Sequence, residues 1–161
     1  MEKALAKYLG SYESTVGGFE TFAFQTILGA PVTEYWTEQV TEDELWNALK
    51  KADEDGAVMT AGSFFAPGGD RDTNFLGIPY SHAFSVIETL TLDDADQTKL
   101  VKIRNPWNKE TYHGPWSDES DLWTRDLLEQ AGHSSGDDGE YWMSIKTLKN
   151  NYESITVAEN V

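Results

Sequence analysis

Two hydrophobic periods alternate along this 161-residue chain. A period of three to four residues is clearest after Thr41, where Leu45, Trp46, Leu49 and Ala52 recur on one helical face and Gly56 follows. Thr41 and Glu44 have the spacing of a capping box. Met1 to Leu9 is a shorter helical pattern that stops at Gly10. A third helix is expected from a cap at Ser117-Asp118 through Leu122, Trp123, Leu127 and Leu128 to Gly132, and one or two helical turns over Ile145 to Tyr152. Strand patterns fall on Phe19 to Leu28, Val32 to Thr37, Ala57 to Phe65, His82 to Leu92, Thr98 to Arg104, Tyr141 to Met143 and Ser154 to Val157. The small residues of Ala57 to Phe65 predict burial on both faces. The acidic connection Asp93-Asp94-Ala95-Asp96 predicts an antiparallel hairpin. Polar loops fall on Pro67 to Thr73 and His133 to Gly139. The balance is α+β, mainly antiparallel β, with two or three peripheral helices.

Composition narrows the function classes. One domain with a proper core fits this length, and 39% apolar residues with 12% aromatics argue for a folded, β-rich unit. A formal charge of −16 repels phosphate backbones, which argues against a nucleic-acid partner. Zero cysteines exclude disulfides, thiolate metal sites and a cysteine nucleophile within these residues. Neither a membrane segment nor a signal peptide is expected, so a cytoplasmic location is the expectation.

The candidate chemistry lies at Arg104-Asn105-Pro106-Trp107, which follows the apolar run Leu100-Val101-Lys102-Ile103. On a strand, Val101, Ile103 and Asn105 share a face, as do His82, Phe84 and Val86 on theirs. If the two strands pair, His82 and Asn105 meet at one end, and Trp107 shields their hydrogen bond from water. An imidazole oriented by an uncharged amide suits a base that activates a nucleophile. The nucleophile itself is missing. Spacing alone is also satisfied by a strand-end histidine and a turn-forming Asn-Pro with no catalytic role.

Longer motifs bring in a family. Ser81-His82-Ala83-Phe84-Ser85-Val86, then Lys102-Ile103-Arg104-Asn105-Pro106-Trp107, then Asp138-Gly139-Glu140-Tyr141-Trp142-Met143-Ser144 closely resemble the calpain family of papain-like cysteine proteases. Glu2-Lys3-Ala4-Leu5-Ala6-Lys7, Gly10-Ser11-Tyr12-Glu13 and Gly17-Gly18 are similar to the segment that joins the two halves of a calpain core. The resemblance implies a two-subdomain protease. The first subdomain carries the Cys and an oxyanion-hole Gln; the second, mainly β, carries His and Asn. Residues 1–18 then correspond to a remnant of the first subdomain with the connector, and residues 19–161 to the second. His82 matches the catalytic His, Asn105 the orienting Asn, and Trp107 the gating Trp between subdomains. Ser81 and Asn108 depart from the pattern, standing where the family often has Gly.

The resemblance also implies calcium. EF-hand loops are excluded, because the ligand positions counted from Gly56 and Gly139 fail at both ends. The family's second subdomain instead binds calcium through other loops, and Asp118, Asp138 and Glu140 match its ligand positions, with a carbonyl near Gly136. A further acidic position is Thr111 here, next to Glu110. Asp138 and Glu140 read equally as turn and solvent residues of an acidic chain. His113 and His133 lie in polar loops without a ligand set. Two functions follow: the His/Asn half of a calcium-dependent cysteine endopeptidase, inactive without its Cys-bearing partner subdomain and acting on protein substrates, or a non-catalytic calcium-responsive module.

Overall fold

The computed structural model of the chain describes residues 2–133 and 136–159. Its centre is a six-stranded antiparallel sheet of β1 (Val32–Trp36), β2 (Val58–Ser63), β3 (Ala83–Thr91), β4 (Lys99–Arg104), β5 (Glu140–Ser144) and β6 (Tyr152–Ala158). Their spatial order is β1-β6-β2-β3-β4-β5. The helices are α1 (Glu2–Leu9), α2 (Glu20–Ile27), α3 (Glu42–Glu54), α4 (Arg125–Gln130) and α5 (Ile145–Asn151). The α+β, mainly antiparallel class is as expected, with five short or medium helices among the described residues. Of the polar loop at His133 to Gly139, Ser134 and Ser135 lie outside the described residues.

Helix α3 starts where its sequence says it does. The Thr41 hydroxyl accepts from the Glu44 amide, and the Glu44 carboxylate accepts from the Thr41 amide in return. Leu45, Trp46, Leu49 and Ala52 are buried against the sheet. They join Met59, Ala61, Phe84, Val86, Val101, Ile103, Tyr141 and Leu148 in the main core. A second, smaller core on Leu92, Leu100 and Trp142 is covered by Trp116 and Ala131, with Trp123 and Leu127 against it. Alternation along β4 and β5 explains the division: Leu100 and Trp142 face one way, Val101, Ile103, Tyr141 and Met143 the other.

Three expectations need correction. Phe19 to Leu28 is not a strand; Glu20–Ile27 forms α2, with Phe19 extended at its cap and Gly29 left-handed after it. The apolar residues of that stretch, Phe19, Phe22, Ala23 and Ile27, repeat every three to four positions, and with Leu5 and Leu9 they line one cavity. The period was helical all along, hidden by aromatic and β-branched residue types. The helix expected from Ser117 begins only at Arg125, capped by the Thr124 hydroxyl accepting from the Leu127 amide. Residues 117–123 are turns, held in part by Trp123 Nε1 donating to the Ser117 carbonyl at 2.9 Å. Finally, β2 alternates buried and less buried residues instead of being buried on both faces.

The hairpin β3–β4 forms as expected, and Asp94 ties its turn by accepting from the Thr98 amide and hydroxyl. It pairs Ser85 with Arg104 and Val86 with Ile103, then skips a residue at Ile87 before Glu88 meets Lys102. That bulge switches which face the later residues of β3 present. Leu49 is fully buried and Thr41 is an exposed cap. Leu49→Ala is expected to cost about 2–5 kcal/mol, against about 1 kcal/mol for Thr41→Ala. Urea unfolding of both variants, with unchanged m-values, checks the order.

Candidate active site

The hairpin register places His82 immediately before β3 and Asn105 immediately after β4. Their side chains meet: His82 Nε2 lies 3.0 Å from Asn105 Oδ1. With the carbonyl oxygen of the amide as acceptor, Nε2 carries the proton and donates. Asn105 Oδ1 also accepts from the Trp107 amide at 3.1 Å, so the Asn-Pro-Trp turn holds its own amide in place. Asn105 is fully buried. Trp107 packs on the imidazole with ring centroids 4.2 Å apart, while 46% of it stays exposed. Phe84 meets the imidazole edge-on, at 4.7 Å.

Backbone contacts invisible in the sequence pattern fix both residues. The Asn105 amide donates to the Gly139 carbonyl at 2.8 Å. Gly139 has a φ of 82°, and a Cβ there would lie 2.9 Å from the Asn105 carbonyl oxygen and 2.9 Å from the Lys109 amide. The glycine of Asp138-Gly139-Glu140 is therefore needed under the Asn105 turn, for conformation and for space. On the histidine side, the Ser63 hydroxyl accepts from the His82 amide at 3.0 Å. Ser63 carried no signal of this in the sequence, because its contact depends on how β2 pairs. Asn108 has a φ of 55° and its amide donates to the Asn105 carbonyl, closing the turn.

The acidic residues do not gather as expected. Asp118, Asp138 and Glu140 are not brought together, and no group of three or more metal-ligating side chains lies in one place among the described residues. Glu140 faces β4, with its carboxylate 3.1 Å from Lys102 Nζ and 4.0 Å from Arg104. Asp138 accepts from the Glu140 amide as a local turn. Asp118 sits apart with its side chain 6% exposed; it accepts from the Gly136 amide through Oδ2. Its other oxygen lies 3.6 Å from His133 Nε2, too far for a hydrogen bond, and neither atom has another partner among the described residues. His133 lies in the loop after α4, as expected, with its side chain buried and stacked on Trp123.

Glu110 is the acid that joins Asp118. Its carboxylate accepts from the Asp118 amide at 3.4 Å, and its own amide donates to Asp137. Burial, then the charge of Asp118, pushes the Glu110 carboxyl up to about 7. These residues line a cavity of about 510 Å³ with Lys109, His113 and Glu119. Asp118 and Glu110 are hard oxygen donors of the kind a divalent cation takes. Asp138 and Glu140, as placed, do not join them.

Similarity to known proteins agrees with the geometry. The family model described as "Calpain family cysteine protease" matches residues 1–159. The chain belongs to the calpain family of cysteine proteases. It is 32% identical to Calpain-9 of Mus musculus over 163 residues, covering 98% of this chain and 23% of that relative. It is 30% identical to the Calpain-1 catalytic subunit of Rattus norvegicus, covering 98% and 22%. With Calpain-B of Drosophila melanogaster the identity is 30%, covering 98% and 18%. The chain therefore spans less than a quarter of the length of these curated relatives. No helix among the described residues is long and apolar enough to cross a membrane.

The raised Glu110 carboxyl predicts a pH dependence in chelator-treated buffer. Folded Glu110 keeps its proton up to about pH 7, whereas the unfolded carboxyl releases it near its ordinary 4.5. Between those values the folded state binds more protons, so stability falls as pH rises. Glu110→Gln is expected to flatten that part of the curve, as measured by thermal unfolding midpoints from pH 4 upward.

Proposed function

We propose that this chain is the His/Asn-bearing half of a calpain-type cysteine endopeptidase core, whose nucleophile comes from a Cys-bearing subdomain of the same parent protein. The observation that carries this reading is the 3.0 Å contact of His82 Nε2 with Asn105 Oδ1. It commits Nε2 to the orienting amide and leaves Nδ1 as the nitrogen that takes a thiol proton. His82 then returns that proton to the leaving amine of a cleaved peptide, and Asn105 keeps the ring in one tautomer and tilt. Trp107 covers the pair from one side. The 161 residues contain no cysteine. The exposed apolar residues of the N-terminal segment, with Val16 at 85% and Phe19 at 73%, fit a surface that the other subdomain covers.

Calcium belongs to the same proposal. Asp118 and Glu110 would hold it; Glu140 would join only on releasing Lys102 and Arg104. Bound there, the ion would neutralise the two carboxylates and order the loop after Trp107. It takes no part in peptide cleavage.

Purified alone, the chain is expected to hydrolyse no peptide, because it has neither nucleophile nor oxyanion donors. Mixed with the Cys-bearing half, it is expected to restore labelling by an epoxysuccinyl thiol probe, and His82→Ala is expected to abolish that labelling. Labelling that ignores His82, or proteolysis by the chain alone, overturns the assignment. A parent whose first half lacks the cysteine would instead favour a non-catalytic regulatory module. For calcium, NMR amide shifts confined to the loops of Asp118 and Gly136 at millimolar ion are expected, and Glu110→Gln is expected to weaken them. A flat titration removes calcium from the reading and leaves the protease assignment standing.

A further inference from the structure

Ser81 precedes His82 and has a φ of 48°. That left-handed conformation is uncommon for residues other than glycine, and serine has no special tolerance for it. Something in the fold must hold it. The Ser81 amide donates to the Phe64 carbonyl at 2.9 Å. Its hydroxyl accepts from the Ala66 amide at 3.1 Å and reaches the Ala66 carbonyl at 3.3 Å. One residue on, the His82 amide donates to the Ser63 hydroxyl, and the His82 carbonyl accepts from the Ser63 amide at 2.9 Å. The end of β2 and the residues after it therefore grip both Ser81 and His82 from one side. The β2–β3 ladder begins directly beyond, with Gly62 opposite Ala83.

A glycine at this position would adopt the same φ at no steric cost but would leave the Ala66 amide without the hydroxyl. We infer that Ser81 is a positioning residue for His82: its hydroxyl bridge to Ala66 locks the left-handed turn that delivers the imidazole onto Asn105. The strain of the backbone and the bond from the side chain belong together. The alignment is then built within this chain and does not wait for a partner subdomain. The inference rests on the reading of His82 as the base.

Ser81→Gly is the decisive variant, because it keeps the backbone conformation and removes the hydroxyl alone. In the isolated chain, Ala66 amide hydrogen exchange is expected to quicken roughly ten-fold, the loss of about one hydrogen bond. The His82 ring nitrogens, read by long-range ¹⁵N–¹H correlation, are expected to pass from a single Nε2–H tautomer to an exchange-averaged mixture. Ser81→Ala, which keeps the strain and loses the bond, is expected to lower the urea midpoint further than Ser81→Gly does. With the Cys-bearing half added, Ser81→Gly is expected to lower kcat several-fold with KM unchanged. An unaltered His82 tautomer and Ala66 exchange rate in Ser81→Gly overturn the positioning role, whatever the chain does as a protease. If both change while the wild-type mixture shows no turnover, the positioning role stands and the protease reading fails.

Discussion

Everything at the site hangs on the antiparallel pairing of β3 with β4, in which Ser85 faces Arg104 and Val86 faces Ile103. A slip of one residue would turn one strand's pair, Phe84 with Val86 or Val101 with Ile103, out of the core and carry His82 past Asn105. Burial of those four side chains and the chemistry of the pair are thus secured by a single register. The bulge at Ile87 lies beyond the paired residues nearest the site, so the switch of faces it introduces serves the second core and leaves the His82 end regular. Gly139 then completes the constraint from just before β5, by a backbone bond to Asn105 that a side chain at that position would block.

The two positions where this chain lacks a glycine of the calpain pattern, Ser81 and Asn108, both have left-handed backbones, at φ of 48° and 55°. That conformation is the one glycine adopts without steric cost. Asn108 meets it through the residue type most tolerant of that region after glycine, with its amide bonded to the Asn105 carbonyl. Ser81 meets it through its side-chain bonds to Ala66. The turns on either side of the His–Asn pair keep their geometry by two different means.

What could be read beforehand follows from how local each cause is. The α3 cap, its buried face and the β3–β4 hairpin are written in residues close together in the chain, and all were legible. So was the meeting of His82 with Asn105, since alternation and an acidic turn imply it. The helix over Glu20–Ile27 was misread because Phe, Thr and Ile favour strands while their spacing favours a helix, and spacing prevailed. The acids were misplaced for a non-local reason. Lys102 and Arg104 point toward Glu140 only once β4 and β5 are paired, and Asp118 meets Glu110 and His133 only once two loops fold together. Ser63 belongs to the same class, a contact created by strand pairing and unmarked in the sequence.

The neutrality of Asn105 bears on how the His–Asn pair is accommodated in the fold. Asn105 is fully buried, and its Nδ2 has no partner among the described residues, at a cost of about 1–3 kcal/mol. A carboxylate in the same place would also orient the imidazole. It would, however, bury a charge with only the His82 ring and the Trp107 amide beside it, and burying a charge costs far more than burying an amide. Asp118 shows what that alternative demands: its buried carboxylate draws on the Gly136 amide and faces His133, and still leaves one oxygen unpartnered. A side chain that is uncharged in every state lets the sheet close over the His–Asn pair without burying a charge at Asn105.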